Sequence, residues 1–175
     1  LSKELHREVG VYPETKHPTH FRSIGLDRET RLVRQVRGAG LDKAKAPIFI
    51  QSFELTNLVD LRRRFGVKAR QVFLTSASGA PYDLASTGDP RTYADLTTAA
   101  GLRSIAGSLN GIGPDKSPFI PRNADGTLDR PTALVADAHA AGLTVQPYTF
   151  RAEHTFLPLD LISGTDPTAD ARASA

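Results

Sequence analysis

The densest group of residues that could carry chemistry is the run Tyr-Pro-Glu-Thr-Lys-His-Pro at positions 12–18. Residues i and i+2 of an extended chain project to the same side, so Glu14 and Lys16 would present a carboxylate and an ammonium together. If Glu14 held a divalent metal, Lys16 beside it could meet an anionic oxygen of the same substrate. The competing explanation is a surface ion pair at a strand end, because such pairs are common and stabilise little.

Other polar residues give weaker signals. Arg151 follows the apolar run that ends near Phe150 and could contact a phosphate, although a structural salt bridge explains it slightly better. His17 and His20 are separated by Pro18, which disfavours a helical pair on one face, and no H-E-x-x-H motif occurs. The histidines therefore do not define a metal site by spacing.

Composition excludes several classes of function. The chain has 175 residues, 39% hydrophobic and 23% charged, which is typical of one globular domain. It has no cysteine, so disulfides, zinc–thiolate sites and cysteine nucleophiles are excluded. The 22 basic and 19 acidic residues are interspersed, which does not favour a nucleic-acid partner. No apolar run approaches the roughly 18 residues that a membrane span needs.

The elements that would position these residues alternate between strands and helices. Short apolar runs bounded by Gly or Pro predict strands that are buried on both faces, as in a parallel sheet. The intervening helical patterns predict four helices: one capped by Asp27 and ended at Gly38, one through 55–61, one starting near Asp89, and one opened by Pro131. Segments 76–88 and 114–129 are expected to be loops. The predicted strands cover residues 9–12, 48–50, 71–75, 109–112 and 143–146.

This alternation predicts an α/β fold with a parallel sheet. The sequence has neither G-x-G-x-x-G nor a P-loop, the signatures of doubly wound nucleotide folds. Polar residues instead follow almost every strand, which favours a (β/α)8 TIM-type barrel with its site at the carboxyl ends of the strands. Such barrels usually have about 200 to 250 residues, so we expect the chain to contain about five of the eight strands.

Four motifs, in chain order, resemble those of the glycerophosphodiester phosphodiesterases, most closely the bacterial periplasmic or secreted type. The first and last are the more specific, and together the motifs extend over nearly the whole chain. They are Val-Tyr-Pro-Glu-Thr-Lys-His-Pro at 11–18, Ile-Gln-Ser-Phe-Glu at 50–54 with Asn-Leu at 57–58, Gly-Ile-Gly-Pro-Asp-Lys at 111–116, and Pro-Tyr-Thr-Phe-Arg at 147–151 with Phe-Leu-Pro at 156–158.

The resemblance implies a (β/α)8 barrel that hydrolyses glycerophosphodiesters to glycerol 3-phosphate and an alcohol. It also implies a divalent cation, Ca²⁺ or Mg²⁺, held by three carboxylates, and two histidines for proton transfer. On this chain the resemblance maps a metal carboxylate onto Glu14 and the catalytic lysine that contacts the phosphate onto Lys16. The other residues that it implies for substrate binding are Gln51, Ser52, Phe53, Tyr148 and Arg151.

The sequence also departs from the family pattern. His6 and Arg7 are followed by Glu8, so they do not form the family's H-R-G motif, and the closing T-D-F-P strand is absent. We therefore expect residues 1–175 to be an incomplete barrel domain of a longer protein, without its N-terminal strands and last strand and inactive alone. The alternative is a truncated or degenerate non-catalytic module that binds a phosphoryl ligand or assembles with another chain.

Partners and location follow from the same expectations. A small-molecule glycerophosphodiester is the expected substrate. Open sheet edges would favour self-association if the chain is a true fragment, because unpaired edge strands tend to find partners. A periplasmic or secreted location is implied by the resemblance alone.

Overall fold

Short β-branched and aromatic runs pair side by side to form the central sheet. The computed structural model describes residues 4–170. Each strand lies within three residues of a predicted apolar run, and all the neighbouring strands are parallel. The strands are β1 (Phe49–Ser52), β2 (Arg70–Thr75), β3 (Gly111–Pro114) and β4 (Thr144–Val145).

The order of the strands in the sheet is the order along the chain, β1-β2-β3-β4. Helices occupy each connection between neighbouring strands. A doubly wound sheet reverses its strand order at a switch point, whereas the strands of a barrel follow one another in sequence. The predicted α/β class with a parallel sheet is confirmed, and the described residues form part of a barrel.

The first predicted strand, 9–12, is not a regular strand, but the chain just after it does pair with β1. Val11 and Glu14 form isolated parallel bridges with Ile48 and Gln51. Pro13 has no N–H to donate, which interrupts regular pairing and is tolerated only at the edge of a sheet. Its carbonyl still accepts a hydrogen bond from the Gln51 N–H at 2.9 Å, so the segment is an irregular edge strand.

Residues 4–170 form seven α-helices around the sheet, with three short 3₁₀ turns at 106–108, 154–156 and 159–161. Asp27 caps the second helix as predicted, because its carboxylate accepts the Thr30 N–H at 3.0 Å. Within residues 4–170, none of the helices is long and apolar enough to cross a membrane. The helices are α1 (Pro18–Ser23), α2 (Arg28–Gly38), α3 (Leu55–Arg63), α4 (Tyr82–Ala85), α5 (Tyr93–Leu96), α6 (Ala99–Ile105) and α7 (Leu134–Ala140).

The helices differ from the sequence prediction in three places. Helix α1 was not predicted, and α4 lies inside the segment that was expected to be a loop. The third predicted helix is divided into α5 and α6, because Thr98 accepts the Gly101 N–H at 3.0 Å and so begins a new helix. Gly101 also lets the two helices approach closely, since a Cβ there would lie 2.2 Å from the Asp95 carbonyl oxygen.

The main core lies between the sheet and the helices. Ile48, Ile50 and Phe73 from the sheet region pack there with Leu58 and Leu61 of α3, and all five are almost completely buried. Along β1 the burial alternates, with Phe49 and Gln51 only half-buried between fully buried neighbours. Apolar burial of this kind stabilises by about 25 cal/mol per Å², and it holds the carboxyl edge of the sheet in place.

Strands β3 and β4 approach each other so closely that a side chain does not fit between them at Gly111. A Cβ on Gly111 would lie 2.7 Å from the Thr144 carbonyl oxygen and 2.3 Å from its Oγ1. Backbone atoms cannot move aside as a flexible side chain does, so Gly111 permits the short distance between β3 and β4.

We expect Gly111→Ala to lower the free energy of unfolding by about 1–3 kcal/mol, because overpacking displaces β4. Urea unfolding measures this change. Gly107→Ala is the matched control, because nothing lies within 4 Å of a Cβ there. Equal stability of the two variants would contradict the close-packing argument.

Candidate active site

A cavity of about 300 Å³ opens at the carboxyl edge of the sheet. It lies where the 11–15 segment, β1 and β2 end, which is the edge on which the sites of parallel barrels are built. Its lining combines charged and aromatic side chains. The residues that line it are Glu14, Thr15, Lys16, His17, Phe53, Glu54, Ser76, Ala80, Tyr82 and Tyr93.

Glu14 and Lys16 lie side by side at this cavity, as their spacing predicted. The Lys16 Nζ is 3.1 Å from the Glu14 Oε2, and the side chains are 66% and 20% exposed, respectively. An ion pair this exposed contributes only about 0–1 kcal/mol to stability. The Glu14–Lys16 ion pair that the sequence analysis gave as the alternative therefore forms. It still leaves an accessible ammonium and a carboxylate at the cavity.

The chain turns sharply directly after Lys16. His17 has φ +49° and ψ +48°, the left-handed conformation that disfavours residues with a Cβ by about 1–2 kcal/mol. The turn ends the extended segment and starts α1 at Pro18, whose ring suits the first helical position. Strained residues of this kind cluster at functional sites, and His17 lines the cavity.

Three aromatic side chains from separate parts of the chain meet beside the cavity. The Phe53 ring makes edge-to-face contacts with the rings of Tyr93 and Tyr148, at centroid distances of 6.4 and 5.8 Å. The Tyr93 hydroxyl donates to the Phe53 carbonyl at 3.0 Å, and the Tyr148 hydroxyl donates to the Thr75 carbonyl at 3.1 Å. Phe53, which follows β1, and Tyr148, which follows β4, are thereby brought together. Only Phe53 of the two lines the cavity, and substrate binding by either residue stays a prediction.

Burial and nearby carboxylates keep these phenols protonated. Burial raises the pKa of Tyr93 to about 12, with the charge of Asp83 acting in the same direction. Burial also raises the pKa of Tyr148, and the charges of Asp115 and Glu14 add to the effect. At neutral pH both hydroxyls are therefore hydrogen-bond donors.

Gln51 and Ser52 do not line the cavity. The Gln51 amide donates to the Tyr12 carbonyl at 3.1 Å. Ser52 is completely buried, and its hydroxyl donates to the Thr15 carbonyl at 3.2 Å and accepts the Glu54 N–H at 3.1 Å. Alternation along β1 turns Ser52 to the buried face of the sheet, so its hydroxyl supports the loop beneath the cavity. Substrate binding by either residue stays a prediction.

Arg151 lies outside the cavity of Glu14 and Lys16. Its guanidinium pairs with Glu153 and lies 4.4 Å from the centroid of the Phe156 ring. It lines a second groove of about 480 Å³ together with Lys116. The salt bridge that was the alternative explanation for Arg151 is present, and its contact with substrate stays a prediction.

Tyr93 and Glu54 line the cavity although sequence reasoning did not select them. Tyr93 is one of three apolar positions of a predicted helix, which gives no signal for a site. Glu54 lies directly after Phe53 in the Gln-Ser-Phe-Glu motif, and its carboxylate accepts the Thr19 N–H at 2.9 Å. A polar residue directly after a strand was the only available signal for it.

Glu14 is the carboxylate that could ligate a divalent cation. Among residues 4–170 there is no group of three or more His, Cys, Asp or Glu side chains placed to hold a metal. A Mg²⁺ ion is often bound through one or two carboxylates, with phosphate oxygens and water completing its shell. Glu14, partly exposed beside the cavity, fits one position in such a shell.

Known proteins resemble this chain in sequence over most of its length. No family model matches the chain. It is 35% identical over 172 residues to a glycerophosphodiester phosphodiesterase of Arabidopsis thaliana, an alignment covering 91% of this chain and 44% of the relative. It is 22% identical over 166 residues to a glycerophosphodiester phosphodiesterase of Haemophilus influenzae, covering 87% of this chain and 44% of that relative.

The fold gives the same result as the sequence. A crystal structure assigned as a glycerophosphoryl diester phosphodiesterase from Silicibacter pomeroyi DSS-3 superposes with a TM-score of 0.55 at 16% identity. The match covers 85% of this chain and 42% of that chain, and at this identity it bears on the fold alone. This chain thus spans less than half the length of the proteins that it matches. By this similarity of sequence, the chain belongs to the glycerophosphodiester phosphodiesterase family.

Proposed function

We propose that this chain carries the phosphate-binding edge of an enzyme that hydrolyses glycerophosphodiesters to glycerol 3-phosphate and an alcohol. The observation that supports the proposal is the Glu14–Lys16 pair, 3.1 Å apart, beside a cavity at the carboxyl edge of a parallel sheet. A phosphodiester is an anion whose charge increases in the transition state, so a fixed cation beside it lowers the barrier. Lys16 is that cation in the proposal.

In this proposal Lys16 binds the phosphate and Glu14 binds the metal. Lys16 binds a non-bridging phosphate oxygen, because its ammonium is largely exposed and can exchange Glu14 for the substrate. Glu14 contributes one carboxylate to a divalent cation, Mg²⁺ or Ca²⁺, which when bound neutralises charge and polarises the phosphoryl group. Hydrolysis adds water to phosphorus, breaks the phosphorus–oxygen bond to the alcohol and returns a proton to the departing oxygen.

The aromatic group provides an apolar side to the site. The Phe53 ring faces the cavity between Tyr93 and Tyr148 and gives the carbon atoms of the glycerol a surface to pack against. In the same proposal Tyr148 and Arg151 contact substrate near the carboxyl end of β4. A periplasmic or secreted location belongs to the proposal through the resemblance to the bacterial family members.

A second candidate function is a non-catalytic module that binds a phosphoryl ligand or associates with another chain. It is favoured by the absence of a three-ligand metal group within residues 4–170, since hydrolysis by this family is expected to need one. It would also leave the sheet edge beyond β4 free to pair with a second copy. Sedimentation equilibrium separates the two functions, because a stable dimer without hydrolysis favours the module.

In the complete enzyme, we expect Glu14→Gln to lower the affinity for Mg²⁺ or Ca²⁺ and the rate of turnover together. The amide keeps the shape of the side chain but removes the charge that a hard cation requires. Release of glycerol 3-phosphate from glycerophosphocholine, measured over a range of metal concentrations, tests this. Glu8→Gln removes an exposed carboxylate elsewhere and is the control. Full activity of Glu14→Gln at saturating metal would rule out the assignment.

We expect Lys16→Ala to weaken binding of glycerol 3-phosphate about tenfold, by loss of a charge-assisted contact. Stability should change by less than about 1 kcal/mol, because the side chain is largely exposed. Phosphorus NMR titration measures binding without requiring turnover, and thermal unfolding measures stability. The matched control is Lys45→Ala, an exposed lysine before β1 at the opposite end of the sheet. A large loss of stability in Lys16→Ala alone would favour a structural role for the lysine.

A further inference from the structure

We propose that Thr15, Asn57 and Glu29 position the Glu14–Lys16 pair from beneath, as a chain of hydrogen bonds that we call the Thr15 relay. The relay rests on the proposed function, because the orientation of Glu14 and Lys16 matters only if the two residues bind metal and phosphate. Thr15 lies between them in the sequence, and alternation in an extended segment turns its side chain to the opposite face. Its side chain is almost completely buried.

The first step of the relay joins the active-site segment to α3. The Thr15 Oγ1 donates to the Asn57 Oδ1 at 2.6 Å. Asn57, in the first turn of α3, is 2% exposed. The hydroxyl therefore fastens the midpoint of the Glu14–Lys16 segment to a helix that packs on the core, and the rotation of the segment about its own axis is restricted.

The second step determines which way the Asn57 amide faces. Its Nδ2 donates to the Glu29 Oε1 at 2.9 Å. A carboxylate that is paired with an arginine accepts hydrogen bonds, so the amide nitrogen faces Glu29 and the amide oxygen faces Thr15. The orientation of Asn57 is thus set by chemistry, and Thr15 always finds an acceptor.

The third step pairs the Glu29 carboxylate, which is 1% exposed, with an arginine. The Arg22 guanidinium donates to Glu29 at 2.5 Å and also lies 3.1 Å from Asp60. Burial acts to lower the pKa of Arg22, but hydrogen bonding to Glu29 and the charges of Glu29 and Asp60 outweigh it, and the pKa is raised. The arginine therefore stays charged and compensates the buried carboxylate.

A second attachment holds the other end of the same segment. The Glu54 Oε2 accepts the Thr19 N–H at 2.9 Å, and Glu54 is itself held through the Ser52 hydroxyl. That hydroxyl also donates to the Thr15 carbonyl at 3.2 Å. The left-handed His17 thus lies between two fixed points, Thr15 and Thr19.

The energetics favour a positioning role over a purely stabilising one. Buried ion pairs can often be replaced by apolar side chains of similar volume without loss of stability. A valine would fill the position of Thr15, yet the position has a hydroxyl that donates to the Asn57 Oδ1 at 2.6 Å and makes a longer contact with the Gln51 carbonyl at 3.4 Å. What the relay adds beyond apolar packing is a single orientation of the segment that carries Glu14 and Lys16.

The test compares Thr15→Val, which removes the hydroxyl, with Thr15→Ser, which keeps it. In Thr15→Val we expect the Gln51 and Thr19 amides to exchange with solvent about tenfold faster or more, while the amides of β2 keep their rates. Thr15→Ser should restore the slow exchange to within about twofold. Asn57→Ala removes the acceptor and is expected to accelerate the same two amides, so it serves if Thr15→Val fails to fold.

Binding of glycerol 3-phosphate, measured by phosphorus NMR, gives the functional readout. We expect Thr15→Val to bind about tenfold more weakly than the wild-type chain and Thr15→Ser to bind within about twofold of it. Thr144→Val removes a hydroxyl at the opposite end of the sheet, which donates to the Asn110 carbonyl, and should change neither measurement at the site.

The outcomes separate failure of the relay from failure of the proposed function. Unchanged exchange at Gln51 and Thr19 in Thr15→Val would overturn the relay. An equal acceleration of amide exchange in β2 would also overturn it, because the Thr15 hydroxyl would then stabilise the whole fold. If the wild-type chain does not bind glycerol 3-phosphate, the proposed function fails, and exchange alone decides whether the relay exists.

Discussion

Parallel pairing is the constraint on which the rest of the structure depends. It brings the carboxyl ends of all strands to one edge, so side chains far apart in the sequence become neighbours. Glu14 leaves the segment beside β1, Phe53 follows β1, Ser76 follows β2 and Tyr148 comes after β4. Each connection between strands contains at least one helix, and these helices pack against the sheet to form the core. The cavity is therefore a consequence of the sheet rather than of any one loop.

The site edge combines features that lower stability with features that hold them in place. His17 is left-handed, Glu29 is a buried charge, and Tyr93 and Tyr148 are phenols in a partly desolvated position. Each has a specific counterpart: the helix that starts at Pro18, the Arg22 guanidinium, and carbonyl acceptors at the ends of β1 and β2. The apolar core between the sheet and the helices provides the stability that offsets these destabilising features of the site.

The proposed phosphate site rests on the geometry of this chain, whereas the sequence similarity bears on the family. The sequence similarity extends over 91% of the chain but over 44% of the Arabidopsis relative. Within that part, one carboxylate and one ammonium lie together above a buried polar network, and an aromatic group lies beside them. A charged pair fixed from below suits an anionic substrate, because a preorganised cation need not reorient when charge develops.

Much of this arrangement could be predicted from local patterns. Short apolar runs bounded by Gly or Pro predicted the parallel sheet, because strands buried on both faces need continuous apolar side chains. The i, i+2 spacing predicted that Glu14 and Lys16 share a side, since extended backbone alternates. Local patterns did not predict α1, nor the division between α5 and α6, because there the side chains of Glu54 and Thr98 each accept a backbone N–H, from Thr19 and Gly101.

By itself, the sequence determined the fold class through its alternating strand and helix patterns and the family through its resemblance to known motifs. The pair of charges followed from the i, i+2 spacing of Glu14 and Lys16. Only the tertiary structure decided which predicted residues meet. It brought Phe53 and Tyr148 into contact, turned Ser52 beneath the cavity and placed Arg151 in a separate groove. The physical reason is that contacts between distant segments depend on register, on strand alternation and on the path of the loops, which no local pattern records.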